Sequence, residues 1–263
     1  MKENSNGEKL NGRIAIVTGV SRLKGIGASI CTALAGEGAD IFFTYWTDYD
    51  KQMPWGADRK EPFRLQKEIQ DLGVRCECME IDLSNPNSPV EVLNEVEKTL
   101  GEPFILVNNA CHSVNDGYKA LDYISLDNHY VINVRATTLL SVEFVRRFSK
   151  GFGGRIINVT SGQSKGAMVG EIAYATTKGA VDALTLTLSA EVAHKGITVN
   201  AVNPGPTDTG WMTDEIQQKL LPRFPMGRVG QPRDAARLIA FLASDDAEWI
   251  TGQVIHSEGG FMR

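Results

Sequence analysis

The chain has 263 residues, of which 42% are hydrophobic and 22% are charged, and its formal net charge at pH 7 is −5. These values are ordinary for a globular protein and fit one α/β domain of the larger kind. A nucleic-acid partner normally requires a basic face, so the acidic balance argues against one. No apolar run approaches the roughly 20 residues that cross a bilayer, and the polar start lacks the apolar core of a signal peptide. We therefore expect a cytoplasmic protein with no nucleic-acid or membrane partner.

The cysteines and histidines show no spacing typical of a metal site. Cys76 and Cys78 lie two residues apart in an alternating, strand-like run, but no second Cys or His pair matches them. We interpret this pair as buried, reduced thiols and expect no catalytic metal.

Short apolar strands alternate with helices along the chain. Residues 1–11 are predicted to be a flexible polar tail, and residues 12–263 a single domain. Strands are predicted at 13–18, 39–45, 74–83, 104–107, 155–160, 197–202 and 253–256. Helices are predicted at 26–37, 63–72, 90–100, 126–149, 174–195 and 235–244. This alternation indicates a Rossmann-like α/β fold, with a doubly wound parallel sheet covered on both faces in three layers, α/β/α.

A glycine-rich turn connects the first strand to the first helix, with glycines at positions 19, 25 and 27. Glycines permit a tight turn and let backbone N–H groups approach a pyrophosphate at a helix N-terminus. After a strand and at the start of a helix, such a turn predicts dinucleotide binding.

Ser161, Tyr174 and Lys178 can form one catalytic centre. Tyr174 and Lys178 are four residues apart at the start of a predicted helix, so they share a face. An ammonium near a phenol lowers its pKa from about 10, which lets the phenol exchange a proton with an alcohol or carbonyl oxygen. Ser161 follows a predicted strand, whose end can present its hydroxyl to the same oxygen. Taken by themselves, such residues more often have a structural role, in surface packing or in a turn.

This combination of motifs resembles the short-chain dehydrogenase/reductase family over nearly all of the chain from Leu10. Within that family, the motifs look most like those of bacterial 3-oxoacyl-(acyl carrier protein) reductases. The matching positions are Gly19, Gly25, Gly27, Asp82, Asn108, Asn109, Ala110, Asn133, Ser161, Tyr174, Lys178, Pro204, Gly205, Thr207 and Thr209.

The resemblance implies a role for each catalytic residue. Tyr174 would be the general acid/base, and Lys178 would lower its pKa and hydrogen-bond the nicotinamide ribose. Ser161 would orient the substrate oxygen. Asn133 would hold a water that links Lys178 to solvent. A nicotinamide cofactor would carry the hydride to or from the carbonyl carbon.

The resemblance also implies the cofactor contacts. Asp82 would contact the adenine, and Thr207 and Thr209 the nicotinamide amide. The full set of expected contacts is Gly19, Ser21, Arg22, Gly25, Ile26, Gly27, Tyr45, Asp82, Leu83, Asn109, Ala110, Tyr174, Lys178, Pro204, Gly205, Thr207 and Thr209.

The glycine turn departs from the family pattern by two extra residues between Gly19 and Gly25. That spacing is similar to the enoyl reductases of the same superfamily. Those reductases place the tyrosine seven residues before the lysine, where this chain has Glu171. The Tyr174–Lys178 pair therefore favours carbonyl or alcohol chemistry over the reduction of a double bond.

Two further departures lie near the expected cofactor. Cys111 stands where the family usually has glycine, which either changes the packing there or makes the site thiol-sensitive. Residues 46–62 look like an inserted loop after the second strand. Loops of that length are usually functional or disordered, so this one either caps the cofactor or is a solvated excursion.

The end of the second strand bears on the choice of cofactor. NAD-preferring members usually carry an acidic residue there, and this chain has Tyr45. Ser21 and Arg22 can bind a 2′-phosphate, and NADP-binding members carry Ser-Arg at this point. NADP(H) is therefore favoured. NAD(H) stays open because Asp48 and Asp50 lie close in sequence and the longer turn could redirect Arg22.

We expect an NADP(H)-dependent reductase of a small-molecule or acyl-carrier-linked carbonyl compound, such as a 3-oxoacyl thioester. Residues 206–226 are the predicted substrate lid, whose apolar residues either line the substrate pocket or pack the lid onto the body. The helix that contains Tyr174 is apolar on more than one face, which indicates a homotetramer or homodimer, as is usual in the family. The alternatives are an NAD-dependent alcohol or sugar dehydrogenase and a non-catalytic dinucleotide-sensing scaffold.

Overall fold

One parallel β-sheet forms the centre of the fold. The computed structural model describes residues 8–53 and 55–263, and within these ranges the sheet has seven strands. They are β1 (Ile14–Val17), β2 (Asp40–Tyr45), β3 (Cys76–Glu80), β4 (Ile105–Asn108), β5 (Gly154–Val159), β6 (Ile197–Asn203) and β7 (Val254–His256). Their order is β3-β2-β1-β4-β5-β6-β7, and each neighbouring pair is parallel. This topology confirms the predicted doubly wound α/β fold.

Helices cover both faces of the sheet. They are α1 (Ile26–Gly36), α2 (Thr47–Lys51), α3 (Glu61–Gln70), α4 (Ser88–Thr99), α5 (Tyr123–His129), α6 (Thr137–Arg147), α7 (Ile172–Val192), α8 (Asp214–Leu220) and α9 (Pro232–Ala243). Side chains of α1, α3 and α9 share one hydrophobic cluster with the sheet, and those of α4, α6 and α7 share the other. The strand order reverses between β1 and β4, and ligands of such sheets bind at that reversal, beyond the carboxyl ends of the strands.

The long helix predicted over 126–149 is present as one continuous helical run from Tyr123 to Arg147, but its middle is not α-helical. A π-helical turn, Tyr130–Ala136, joins α5 to α6. A π turn adds a residue to the helical repeat while the apolar stripe continues on either side of it, so periodicity alone does not reveal it. Such turns are frequent at functional sites, and this one contains Asn133.

The start of the domain also differs from the prediction. Leu10, which we assigned to the flexible tail, is fully buried, and its N–H donates to the Glu37 carbonyl at 2.7 Å. One indication of this burial was present in the sequence, because Leu10 is an apolar residue in an otherwise polar segment. Residues 1–7 of the predicted tail lie outside the described residues.

A buried chain of amides and hydroxyls connects the two central strands to the helices that cover them. Asn108 Nδ2 on β4 donates to Asn158 Oδ1 on β5 at 2.8 Å and to Ser141 Oγ on α6 at 3.0 Å. Asn158 Nδ2 donates to Thr185 Oγ1 on α7 at 2.9 Å. Since a buried polar group is costly without a partner, these bonds fix how α7 lies on the sheet.

Replacement of Asn158 by alanine is therefore expected to reduce the free energy of unfolding by about 2–3 kcal/mol, because two buried hydrogen bonds are lost and a cavity forms. Urea denaturation followed by circular dichroism measures this. Asn11→Ala is the control, since the Asn11 side chain is exposed and bonds only Glu8. Equal stability of the two variants would contradict the role given to Asn158.

Candidate active site

A cavity of about 320 Å³ opens at the carboxyl ends of the strands, where the strand order reverses. Most of the expected cofactor contacts line it. They are Gly19, Ser21, Arg22, Gly25, Ile26, Gly27, Tyr45, Asp82, Leu83, Asn109, Ala110, Tyr174 and Thr209. Lys178, Pro204, Gly205 and Thr207 belong to the expected set but do not line the cavity wall.

The glycine turn fits a dinucleotide. A Cβ on Gly19, which has a φ of +72°, would lie 2.5 Å from the Ala110 Cα, and one on Gly27 would lie 2.8 Å from Asn109 Nδ2. Only glycine therefore allows the turn to pack against the segment after β4. Helix α1 begins beside the cavity without a side-chain cap or an acidic residue in its first turn. Its unpaired N–H groups suit an anionic pyrophosphate.

Two of the predicted cofactor contacts, Asp82 and Thr207, form hydrogen bonds with residues close to them in sequence. The Asp82 carboxylate accepts from the Ser84 N–H at 2.8 Å and from its hydroxyl at 2.7 Å. The Thr207 hydroxyl is buried and donates to the Pro204 and Gly205 carbonyls at 3.2 and 3.1 Å. Their contacts with a cofactor stay predictions.

Tyr174 and Lys178 lie in the first turns of α7. The carboxylate of Asp116 accepts from the N–H groups of Ile172 at 2.6 Å and Ala173 at 2.9 Å, and it thereby holds the start of this helix. Lys178 is 3% exposed, and its Nζ donates to the Val159 carbonyl at the end of β5 at 2.7 Å. The same Nζ lies 5.6 Å from the centre of the Tyr174 ring. The spacing of this pair in the sequence therefore corresponds to proximity in space.

Burial is the largest influence on the pKa of Tyr174. Burial raises the pKa of Tyr174 well above its usual range, the Cys111 thiol raises it further, and a hydrogen bond from the Ser161 hydroxyl lowers it. The direction of this shift is opposite to the lowering that we expected from Lys178. A protonated phenol beside a serine hydroxyl can donate a proton to a carbonyl oxygen that both groups contact. Cys111 therefore acts on the electrostatics of Tyr174 as well as on packing.

Asn133 is enclosed by protein groups. Its Nδ2 donates to the His112 carbonyl at 2.9 Å and to Thr177 Oγ1 at 3.0 Å, and its Oδ1 accepts from the His112 N–H at 2.8 Å. The π-helical turn therefore fixes the segment after β4 to α7, beside Lys178. The predicted role of Asn133 in holding a water stays a prediction.

The inserted segment, residues 46–62, forms one wall of the cavity. Thr47 and Asp50 of α2 are buried, and Tyr49, Asp50 and Trp55 line the cavity. The Tyr49 hydroxyl accepts from the Ser113 N–H at 3.4 Å. This part of the segment therefore packs at the cavity, and its role as a cap over the cofactor stays a prediction.

Two histidines that we had not assigned to the site pack beside the inserted segment. The rings of His112 and His129 lie 4.7 Å apart, and His112 lies 5.7 Å from the Tyr49 ring. His129 is fully buried, with Nδ1 bonded to the Ser125 carbonyl and Nε2 to the Val114 N–H. A carbonyl only accepts and an N–H only donates, so in these two bonds Nδ1 is the donor and Nε2 the acceptor. The sequence did not predict this cluster, because the two histidines are far apart in the chain and lack the spacing of metal ligands.

The lid residues divide between the two roles considered for them. Met212 and Phe224 are buried and pack the lid onto the body. Trp211, Leu221 and Met226 are exposed and remain available to a substrate. Helix α8 and the bond from Trp211 Nε1 to the Thr207 carbonyl at 2.9 Å give this segment its shape.

The remaining predictions concern thiols, assembly and membranes. Cys31, Cys76, Cys78 and Cys111 are free, and burial raises the pKa of Cys76 to about 12. Within residues 8–53 and 55–263, no three His, Cys, Asp or Glu side chains cluster as a metal site. None of the described helices is long and apolar enough to cross a membrane.

Two apolar side chains on neighbouring helices are exposed, Leu139 on α6 and Leu186 on α7. The homotetramer or homodimer stays a prediction.

The sequence is similar to known oxidoreductases over almost its whole length. A family model described as enoyl-(acyl carrier protein) reductase matches residues 19–262. The uncharacterized oxidoreductase YjdA of Bacillus subtilis is 55% identical over 253 residues, covering 95% of this chain and 97% of that protein. The 3-oxoacyl-[acyl-carrier-protein] reductase FabG of Aquifex aeolicus is 32% identical, covering 96% of this chain and 98% of that protein.

A solved structure has the same fold. The short-chain dehydrogenase from Burkholderia cenocepacia, in complex with NADP, is 30% identical and superposes with a TM-score of 0.86. The match covers 96% of this chain and 99% of that one.

The histidine pair predicts a loss of stability in mild acid. Burial, together with a smaller effect of the nearby His129, lowers the pKa of His112 from 6.5 to about 4. The unfolded chain therefore takes up a proton near pH 6.5 that the folded chain binds only near pH 4, so stability is lost as pH falls through this window. His112 is only half-buried, so solvent screening reduces the effect to about 1 kcal/mol between pH 7 and pH 5.

Urea denaturation at both pH values measures this effect. His112→Phe keeps an aromatic ring in place but cannot titrate, so its stability is expected to depend less on pH than that of the wild type. The exposed His194 supplies the control, His194→Gln. The same pH dependence in wild type and His112→Phe would contradict the assignment.

Proposed function

Because the chain belongs to the short-chain dehydrogenase/reductase family, we propose that it is an NADP(H)-dependent carbonyl reductase that forms a secondary alcohol. Family membership makes it an NAD(P)-dependent oxidoreductase. The observation that carries the finer proposal is that Tyr174, a phenol that lines the cavity, lies beside a serine hydroxyl and a buried ammonium.

The proposed chemistry is proton donation by Tyr174 to the substrate oxygen. The Ser161 hydroxyl binds the same oxygen and orients it. Lys178, whose Nζ the Val159 carbonyl holds in place, stabilises the phenolate that proton donation leaves behind. A bound nicotinamide supplies the hydride.

The position of the tyrosine supports carbonyl over double-bond chemistry. The matching family model is described as an enoyl reductase, and such enzymes resemble this chain in the length of the glycine turn. The residue seven positions before Lys178 is Glu171, which immediately precedes α7. Burial and the nearby Asp116 raise the pKa of this carboxyl group. Tyr174 is therefore the phenol that accompanies Lys178 at the site.

The cavity supports NADP(H) as the cofactor. Ser21 and Arg22 line it, and the end of β2 carries Tyr45 in place of the carboxylate that NAD-preferring members usually have there. A similar structure holds NADP. A non-catalytic scaffold is disfavoured because Ser161, Tyr174 and Lys178 are all present and in reach of one another.

An apolar or acyl-linked ketone is the substrate class that the surroundings of Ser161 support best. Met168 Sδ lies 4.0 Å from Ser161 Oγ, so a thioether borders the point where the carbonyl would bind. Val169, beside it, is 95% exposed and carries no polar group. One of the relatives is named as a 3-oxoacyl-[acyl-carrier-protein] reductase, and a 3-oxoacyl group is an acyl-linked ketone.

Tyr174→Phe is expected to reduce the turnover of a 3-oxoacyl thioester or simpler ketone with NADPH by at least about 100-fold, because the proton donor is removed. NADPH affinity, followed by fluorescence titration, should remain within about threefold. Tyr118→Phe is the control, since the Tyr118 ring is 82% exposed. Undiminished turnover in the Tyr174 variant would contradict the mechanism.

Met168→Ala is expected to raise KM for long-chain ketones about threefold to tenfold, since apolar contact is lost, while kcat changes little. A short ketone such as butanone should show no such change. Steady-state kinetics with both substrates measures the difference. An equal effect on the two ketones would rule out an apolar subsite at Met168.

A further inference from the structure

The guanidinium of Arg22, which the proposed function places at the cofactor 2′-phosphate, is already held by three parts of the chain. Its Nη1 donates to the Thr209 carbonyl at 3.1 Å. Its Nε lies 3.5 Å from Asp50 Oδ1. Its planar group stacks on the Trp55 ring at 4.3 Å from the ring centre. Two of these three contacts come from the inserted segment.

Asp50 is a buried carboxylate on the wall of the cofactor cavity. Its side chain is 7% exposed. Its Oδ1 also accepts from Trp55 Nε1 at 2.8 Å. Trp55 therefore contacts both members of the ion pair, and it fixes the position of the carboxylate beside Arg22.

The Arg22–Asp50 ion pair leaves polar atoms of both side chains available to a ligand. The contact runs through one nitrogen and one oxygen, without the paired bonds of a bidentate ion pair. Within the described ranges, Arg22 Nη2 has no hydrogen-bond partner and neither does Asp50 Oδ2. The pair thus presents one free donor and one free acceptor side by side.

These two groups act oppositely on the two cofactors. A 2′-phosphate gains the Arg22 donor but meets the negative charge of Asp50, which also competes for the guanidinium. A ribose 2′-hydroxyl can donate to the carboxylate and meets no such repulsion. The acidic residue that the end of β2 lacks is thus supplied by α2, from a different direction.

We propose that Asp50 is a specificity-determining residue, which limits the preference for NADP(H) over NAD(H) by neutralising Arg22 and by offering an acceptor to the 2′-hydroxyl. This inference rests on the proposed function and refines it. The inserted segment therefore sets the ratio of the two cofactor affinities, and the chain uses NADH at a measurable level.

The test measures the dissociation constants of NADPH and NADH by fluorescence titration in wild type and Asp50→Asn. Asparagine keeps the shape and the Oδ1 acceptor for Trp55 but removes the charge. The ratio of the two affinities is expected to shift toward NADPH by about tenfold. Adenosine 2′,5′-bisphosphate and ADP, used as competitors, should show the same shift without the nicotinamide.

Asp48→Asn is the matched control. It lies in the same helix and changes the formal charge equally, but its side chain is 55% exposed and pairs with Lys51. Its affinity ratio is expected to remain within about twofold of the wild type. A shift in Asp48→Asn equal to that in Asp50→Asn would overturn the proposal, because overall charge would then explain the result.

Arg22→Gln is a second variant of the same ion pair, and it distinguishes an electrostatic effect from a local loss of structure in the Asp50 variant. It is expected to weaken NADPH binding selectively and to leave NADH binding within about threefold. Equal loss for both cofactors, or an unchanged ratio in Asp50→Asn, would overturn the inference. Those outcomes leave the carbonyl reductase proposal intact, since turnover and its dependence on Tyr174 are measured separately.

Discussion

The geometry of the site depends on one buried ammonium at the end of one strand. Lys178 is almost fully enclosed, so its charge needs a partner, and the Val159 carbonyl provides one. Strand β5 lies between β4 and β6, so the register of the sheet determines where that carbonyl stands. Ser161 follows two residues later, and α7 brings Tyr174 back over it. The chemistry is thus positioned by strand pairing, which is the most rigid element that the fold offers.

Polar contacts between distant segments extend this rigidity to the rest of the site. Asn108 and Asn158 join the two central strands and connect them to α6 and α7. Asn133 connects the segment after β4 to α7, and Asp116 holds the start of α7. Each of these side chains satisfies backbone or side-chain groups that burial would otherwise leave unpaired. Preorganisation of the catalytic groups therefore comes from the same bonds that stabilise the fold.

The sequence predicted those features that local spacing encodes. Strand and helix alternation predicted the doubly wound sheet, and the four-residue interval predicted that Tyr174 and Lys178 share a face. Contacts that depend on tertiary packing were out of reach: Asp50 meets Arg22 across 28 positions of chain, and Asp116 meets Ile172 across 56. The π turn at Asn133 escaped because the apolar pattern continues through it. The raised pKa of Tyr174 could not be foreseen either, since burial is a property of the folded chain.

The inserted segment has a kinetic consequence. It contacts the segment after β4 through Tyr49, and it contacts Arg22 through Asp50 and Trp55. Arg22 in turn contacts Thr209 at the beginning of the lid. Four stretches of chain are therefore linked in series along the wall of the cavity. We therefore expect the residence time of a bound dinucleotide to depend on these contacts, which lie away from the proposed site of hydride transfer, and release of the spent cofactor to be slower than the chemical step.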